Sequence, residues 1–376
     1  MKIKHLNNIS SQSLTEGVVS YLNTLENKNI KFDYNPCHEG VTLAGKEISL
    51  GFSCYSLKTL YTINMWDKLS NKSKTEWGEY INSFQNNVSK FPENSYVDSR
   101  YIKHFEKLNI KHTSKDIAKT VLNMMKNKNY RTRKEELVDS VRAETKQAIA
   151  TLNQVGFRNK FIYEHFPKTS EEVHSILDSY DWSKPWSAGA QFSSFCVFAT
   201  GQLIEDKQFS DNLVEYIEKK VNVKDGCYYE GNQPNYTQLI NGSMKVITGL
   251  DWLGIPIHYP EKLIDVCLSR QPSQSGCDLV DYVYVLYRSS LQTDYRRQEI
   301  VRYLDHILEL IFSHYYQEQG GFSYNIESSQ KLYYGVEISK GNDQPDIHGT
   351  VLLTWALAMI FHITENDEFN WNILKP

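Results

Sequence analysis

Four ionisable side chains stand at the starts of two apolar runs in the last third of the chain. Asp278 and Asp281 lie three positions apart, and Asp346 and His348 precede a run that is apolar as far as Ile360. Carboxylates at this spacing share one face of a helix. Two carboxylates in one site repel, so one can keep a proton near neutral pH and act as a general acid. A histidine can exchange a proton near pH 7. These four residues are the candidate catalytic group.

A structural role is the alternative for part of this group. Asp278 and Asp346 each stand where a helix is predicted to begin, and an aspartate there commonly caps the first N–H groups. Asp281 and His348, with Cys277 or Asp278, also offer possible zinc ligands. No ligand-spacing motif supports a metal, so we expect no cofactor.

Polar and aromatic residues also stand near the starts of other buried helices. Polar groups on buried helices must be satisfied by one another or by a ligand. Aromatic rings beside carboxylates suit a sugar, whereas aromatic rings alone suit an isoprenoid, and packing is the alternative for each residue. The candidate substrate-binding residues are Arg142, Glu144, Trp186, Gln191, Tyr228, Asn235, Tyr236, Asn241, Tyr324 and Tyr334.

Composition excludes several classes of function. The 376 residues carry a net charge of −4, so no basic field favours nucleic acid. Six cysteines without a CxxC pair indicate free thiols in a reducing compartment. No apolar run reaches the roughly 20 residues that a membrane span needs. The N-terminus lacks the apolar segment of a signal peptide, so we expect a cytoplasmic protein.

The elements that must position these residues are helices in a repeating order. Each unit is an amphipathic helix, a glycine-bearing turn and a helix that is apolar nearly all round, which predicts alternating outer and buried inner helices. We predict an all-α (α/α)6 toroid with a central cavity, a single domain over residues 1–376 in which residues 1–49 close the ring. The predicted inner helices start near Leu50, Val138, Ala188, Asn235, Asp278 and Asp346.

Two further segments of the chain can be interpreted separately. Asp116 to Lys126 is predicted to be a helix within an otherwise ambiguous polar region. Ser328 to Asp343 is long, polar and glycine-containing, which is typical of a lid or of a disordered loop.

Three motifs resemble the α/α toroid of terpenoid cyclases and protein prenyltransferase β subunits. They are Gly320-Gly321-Phe322, Leu279-Val280-Asp281 and Asp346-Ile347-His348, and the architectural resemblance covers Leu50 to Ile363. In prenyltransferases a zinc aspartate follows a similar Leu-Val, a zinc cysteine comes two residues later, and a zinc histidine starts the last inner helix. Asp281 and His348 match, but Val283 stands in the cysteine position, and the cyclase Asp-x-Asp-Asp motif is absent. The resemblance implies a fold and a cavity, and transfers neither chemistry intact.

Three functions remain open on the sequence. The leading hypothesis is an enzyme of the terpenoid-cyclase or prenyltransferase-like group, with an elongated substrate in the cavity and Asp and His acid–base groups at the rim. The alternatives are a carbohydrate-active enzyme on the same ring (a glycoside hydrolase, lyase or epimerase) and a non-catalytic binding scaffold. The polarity of the cavity wall distinguishes an isoprenoid from a sugar.

Overall fold

The computed structural model describes residues 10–85, 90–107, 131–202 and 206–376, together with residues 88, 119 and 122. Six of the helices in these ranges form an inner layer: α3 (Leu50–Thr62), α6 (Arg133–Gln154), α8 (Pro185–Thr200), α10 (Tyr236–Leu253), α12 (Gly276–Ser290) and α14 (Ile347–Ile363). The remaining described helices are α1 (Ser11–Leu25), α2 (Leu43–Glu47), α4 (Asn71–Asn82), α5 (Ser99–Glu106), α7 (Ser170–Leu177), α9 (Lys207–Glu218), α11 (Pro260–Leu268) and α13 (Arg297–Phe312). A 3₁₀ turn spans Trp66–Lys68.

The inner helices form a closed ring. Each one packs against the next in the order α3, α6, α8, α10, α12 and α14, and α14 packs back against α3. The outer helices lie behind them: α4 behind α3 and α6, α9 behind α8, α11 behind α12, and α13 behind α12 and α14. The predicted all-α toroid is confirmed, and each of its six predicted inner-helix starts falls in or beside an observed inner helix.

The difference between inner and outer helices follows from their side chains. Within α14 the only ionisable residues are His348 and His362, so nearly every face of this helix can be buried. By contrast, α13 buries one stripe that includes Ile300, Leu304 and Ile307 and turns its charged residues outward. Amphipathic helices of the second kind can cover a ring of the first kind and present a polar outer surface.

Glycines allow α8 and α10 to pack closely. A methyl group added at Gly242 would lie 2.6 Å from Cβ and 2.7 Å from Cγ of Pro185, the first residue of α8. One added at Gly249 would lie 2.7 Å from the ring of Phe192 and 2.8 Å from the Cys196 sulfur. Real Cβ atoms do not approach other atoms so closely, so these positions set the separation of the two helices.

Two small hairpins interrupt the helical pattern. Strand β1 (Tyr315–Tyr316) pairs with β2 (Gly321–Phe322), and β3 (Leu332–Tyr333) pairs with β4 (Val336–Glu337), both antiparallel. The turn of the second hairpin consists of Tyr334 and Gly335, with φ of 41° and 82°, which is the backbone of a type I′ turn.

The second hairpin occupies the loop that was expected to be a lid or disordered. Tyr333 is 2% exposed and packs against Phe52 and Tyr55 of α3. A side chain at Gly51 would collide with the Tyr333 hydroxyl. One buried aromatic residue therefore anchors the hairpin against the first turns of α3, a role that the polar composition of the loop does not indicate.

The predicted helix within residues 116–126 and the domain assignment remain predictions. Apart from residues 119 and 122, the helix predicted for Asp116 to Lys126 lies outside the described residues. The assignment of residues 1–376 to one domain, with 1–49 closing the ring, stays a prediction. None of the helices in the described ranges is long and apolar enough to cross a membrane.

We predict that Gly242→Ala destabilises the protein although alanine is the better helix former. Overpacking costs about 1–3 kcal/mol, against a gain of about 1 kcal/mol in helix propensity. Urea unfolding measures the difference. Thr237→Ala, at an exposed position of the same helix, is the control without a clash. Equal stability of the two variants would contradict the close packing of α8 against α10.

Candidate functional site

The starts of α12 and α14 are joined by the chain segment around Tyr324. The Gly276 N–H donates to the Tyr324 carbonyl at 2.8 Å, and the Tyr324 N–H donates to Oδ2 of Asp346 at 2.6 Å. These two hydrogen bonds bring the first turns of both helices to one end of the ring. The candidate catalytic residues Asp278 and His348 lie on those turns, and Asp281 lies one turn further along α12.

Asp346 is fully engaged by backbone groups. Its Oδ1 accepts from the Gly349 N–H at 2.8 Å, which caps α14, and its Oδ2 also accepts from the Gln330 N–H at 3.0 Å. Burial raises the pKa of this carboxyl to about 6, although the hydrogen bonds oppose the increase. The arrangement favours the capping role for Asp346 over the catalytic role.

Asp278 also has its oxygens occupied. Its Oδ1 accepts from the Asn241 side-chain amide of α10 at 2.8 Å, and its Oδ2 accepts from the Ser273 hydroxyl. The cap of α12 is Ser275, not Asp278. Asp278 therefore joins α12 to α10 through Asn241.

Asp281 is the carboxylate that is left without a partner. It is 2% exposed, and its Oδ2 is a buried atom with no hydrogen bond among the described residues. Burial raises the pKa of Asp281 to about 7; the charge of Lys245 opposes this and that of Asp278 adds to it. A carboxyl group with a pKa near 7 and a free oxygen is suited to donate a proton to a ligand.

His348 lies between two tyrosine rings. Its imidazole stacks on Tyr55 of α3 at a centroid distance of 4.7 Å and on Tyr324 at 5.0 Å. Its buried Nδ1 has no partner in the described part of the chain. Burial, and then the charge of Lys245, lower the pKa of His348 to about 3. The ring is therefore neutral near pH 7, which differs from the expectation that it titrates there.

Cys277 stands next to this group as a protonated thiol. Burial raises its pKa to about 11, with the charge of Asp281 adding to the effect. Among the described residues, no three His, Cys, Asp or Glu side chains are arranged to hold a metal ion. The expectation that no zinc is required stays a prediction.

Three lysines of the inner helices also belong to the interior, although the sequence did not indicate them as site residues. They are Lys58 of α3, Lys146 of α6 and Lys245 of α10, and all three are half-buried. Burial lowers the pKa of Lys58 and of Lys146, and each is lowered further by neighbouring lysine charges. The available signal was an isolated lysine in a buried helix: Lys58 is the only charged residue of α3.

Glu144 of α6 faces the same interior. It is 3% exposed, accepts a hydrogen bond from the Tyr333 hydroxyl, and has a second carboxylate oxygen without a partner in the described ranges. Burial raises its pKa to about 8. Tyr334, at the tip of the hairpin, contacts Tyr101 and Tyr333 and has its pKa raised by burial and then by Glu144.

Arg142 and Gln191 belong to a different polar network. Arg142 donates to Asp139 at 3.0 Å, to the Tyr180 hydroxyl at 2.8 Å and to Gln191 Oε1 at 2.7 Å. One guanidinium nitrogen makes all three contacts, and the bond to Gln191 joins α6 to α8. We leave both residues out of the candidate site.

Four further predicted binding residues lie away from the interior group. Tyr228 is fully buried and its hydroxyl bonds to His258. Asn235 is exposed and caps α10. The Tyr236 hydroxyl donates to the Val266 carbonyl of α11. Trp186 lies in the first turn of α8, where its backbone N–H donates to Oε1 of Gln238. The structure brings together Asn241, Tyr324, Glu144 and Tyr334 from the predicted binding set, beside Asp281 and His348.

The first prediction from this site concerns pH and stability. The pKa of Asp281 is higher in the folded chain than in an unfolded one, so its protonation stabilises the fold at low pH and this stabilisation is lost as pH rises through about 7. Asparagine cannot ionise. We expect Asp281→Asn to gain stability relative to the wild type by up to about 1.4 kcal/mol for each pH unit from pH 5 to about 7, and the difference to level off above that pH.

Chemical denaturation at pH 5, 6, 7 and 8 measures this difference. Asp294→Asn, at a side chain that is 93% exposed, controls for the loss of one surface charge. A stability difference between Asp281→Asn and the wild type that is constant across these pH values would contradict the assignment of a proton to Asp281.

The second prediction separates Asp346 from Asp281. Asp346→Ala leaves three N–H groups without their acceptor, and we expect a loss of about 2–4 kcal/mol, since a lost cap costs about 0.5–2 kcal/mol and each buried unsatisfied group about 1–3 kcal/mol. Any activity should fall only with the fraction folded. Activity that disappears while the urea midpoint stays at the wild-type value would instead make Asp346 catalytic.

Comparisons with known proteins give one similarity. No protein-family model matches the chain, and no curated protein is similar to it in sequence. Among solved structures, the chain is similar to Candida albicans protein geranylgeranyltransferase-I complexed with GGPP, at 12% sequence identity and a TM-score of 0.46, over 98% of this chain and 94% of that chain. This similarity concerns the fold alone, and the bound GGPP is a property of that protein.

Proposed function

We propose that the protein is an enzyme that binds a polar, carbohydrate-type substrate inside the helical ring and transfers a proton through Asp281. The observation that carries the proposal is the polarity of the interior wall. The described inner helices turn Lys58, Lys146, Lys245, Glu144, Asp281 and His348 toward the centre, with Tyr55, Tyr324 and Tyr334 beside them.

An interior of this kind fits a sugar better than an isoprenoid. Buried polar groups without partners are costly unless a ligand satisfies them. The hydroxyl groups of a sugar can form hydrogen bonds with the carboxyl oxygen of Asp281, the imidazole nitrogen of His348 and the amide oxygen of Asn241. Tyrosine rings can cover the apolar face of the sugar. A hydrocarbon chain would leave the same groups unsatisfied. The isoprenoid hypothesis that led on the sequence is therefore placed second.

Asp281 is the group best suited to move a proton. Below about pH 7 it carries one, and its free Oδ2 can deliver it to a leaving oxygen on the substrate. His348 is neutral, so we assign it a hydrogen bond to a substrate hydroxyl through Nδ1. The two tyrosine rings fix the plane of the imidazole and hence the direction of that hydrogen bond.

The test is a substrate panel combined with one substitution. Neutral oligosaccharides, oligouronides, sugar phosphates and geranylgeranyl diphosphate are each incubated with the purified chain, and products are followed by mass spectrometry. We expect turnover of a carbohydrate and a loss of roughly 100-fold or more in Asp281→Asn, the usual contribution of a general acid. The rate should fall as pH rises above about 7, because Asp281 loses its proton.

Two controls make the result interpretable. Asp294→Asn repeats the same change at the surface, and a melting temperature for each variant shows that the chain is folded. Turnover of geranylgeranyl diphosphate with full activity in Asp281→Asn would overturn the proposal. Carbohydrate binding without any turnover would favour the non-catalytic scaffold.

A further inference from the structure

Three ammonium groups converge on the centre of the ring from three different helices. In the order of the ring, α3 and α10 are separated by two helices on either side, so they stand opposite each other. Lys58 of α3 and Lys245 of α10 nevertheless act on each other electrostatically, and both act on Lys146 of α6. Side chains from opposite walls can do this only if they extend toward the middle.

None of these ammonium groups has a hydrogen bond or an ion pair with any residue in the described ranges. The situation differs from that of Lys220, a buried lysine of this chain, which pairs with Asp178 at 2.8 Å and with Glu230. The three lysines are half-buried, so each side chain keeps some solvent-accessible surface. The centre of the ring therefore holds uncompensated positive charge that a ligand can reach.

The titratable groups around the lysines do not neutralise this charge. The Glu144 carboxyl carries a pKa of about 8 and the Asp281 carboxyl about 7, so both are largely or partly protonated near neutral pH. The other titratable groups near the lysines come from five of the six inner helices and are Cys54, Glu144, Cys196, Cys277, Asp281 and His348.

We propose that Lys58, Lys146 and Lys245 form a binding site for an anionic group of the substrate, a phosphate or a carboxylate. The proposal rests on the proposed function in one respect, that a substrate enters the ring. Three ammonium donors around one point supply charge-assisted hydrogen bonds to such a group. Asp281 and His348 then lie beside the anionic group, close to Lys245, and reach the sugar that carries it.

Binding is tested with three compounds that differ in one substituent. Glucose, glucuronate and glucose 1-phosphate are titrated into the full chain by isothermal calorimetry at pH 7.5 and low salt, with pyrophosphate as a fourth probe. We expect no measurable heat from glucose and saturable binding of at least one sugar anion. A preference for glucose 1-phosphate and pyrophosphate assigns a phosphate, and a preference for glucuronate assigns a carboxylate.

Substitution locates the binding in the ring. Lys58→Met, Lys146→Met and Lys245→Met should each weaken anion binding about tenfold or more, since a hydrogen bond to a charged group contributes about 1.5–3 kcal/mol. Lys72→Met, at a surface side chain that is 85% exposed, makes the same chemical change and should bind as the wild type does. Lys146→Arg should retain part of the affinity.

Two further measurements exclude a merely structural role. Removing one of three mutually repelling cations should raise the melting temperature of the ligand-free protein, so each Lys→Met variant should be more stable than the wild type. Anion binding should also take up protons, because the pKa values of Lys58 and Lys146 are lowered and a bound anion favours the charged forms of both. Calorimetry in PIPES and in Tris buffer measures this uptake from the difference in heat.

The outcomes separate this inference from the proposed function. Equal binding of glucose and its anionic derivatives, or full anion affinity in all three Lys→Met variants, overturns the anion site. It does so even if Asp281 proves to be catalytic for a neutral sugar. Lysine-dependent anion binding without any turnover that depends on Asp281 supports the anion site and overturns the acid–base function.

Discussion

The carboxylate of Asp346 holds together the three chain segments on which the candidate site depends. It accepts from Gly349 at the start of α14, from Tyr324 ahead of it and from Gln330 beyond. Through the Tyr324 carbonyl the connection reaches Gly276 at the start of α12. A buried carboxylate can be kept here because three N–H groups and a helix N-terminus surround it. The position of His348, Cys277 and Asp281 follows from this one group.

The polar side chains of the inner helices fall into two groups. Some groups join helices: Arg142 donates to three acceptors, and each oxygen of Asp278 accepts a hydrogen bond. Other groups keep buried atoms that have no partner among the described residues, including Asp281 Oδ2, His348 Nδ1 and Glu144 Oε2. Each unsatisfied atom costs about 1–3 kcal/mol. A ligand that satisfies these atoms would remove the cost, which supports the proposal that the site lies in the interior.

The inner helices could be predicted from the sequence because their signal is local. Apolar runs such as Ala188 to Ala199 and Val351 to Ile360 can be buried on all faces only in an inner layer. The same reasoning could not give the direction of one side chain. Tyr228, Tyr236 and Tyr324 all stand near helix starts. Of these three tyrosines, only Tyr324 stacks on His348. That choice depends on the rotation of each helix about its axis, which packing sets and the sequence pattern does not.

The lysines were missed for a related reason. A lone lysine in an apolar helix can reach solvent along its flexible stem, so its type alone does not indicate an interior position. Only the closed ring shows that Lys58 and Lys245 face each other. The same closure builds the acid–base side of the site, since the stack of Tyr55 on His348 is itself a contact between α3 and α14. Until α14 meets α3, the imidazole lacks the Tyr55 ring and part of the burial that is the main cause of its lowered pKa.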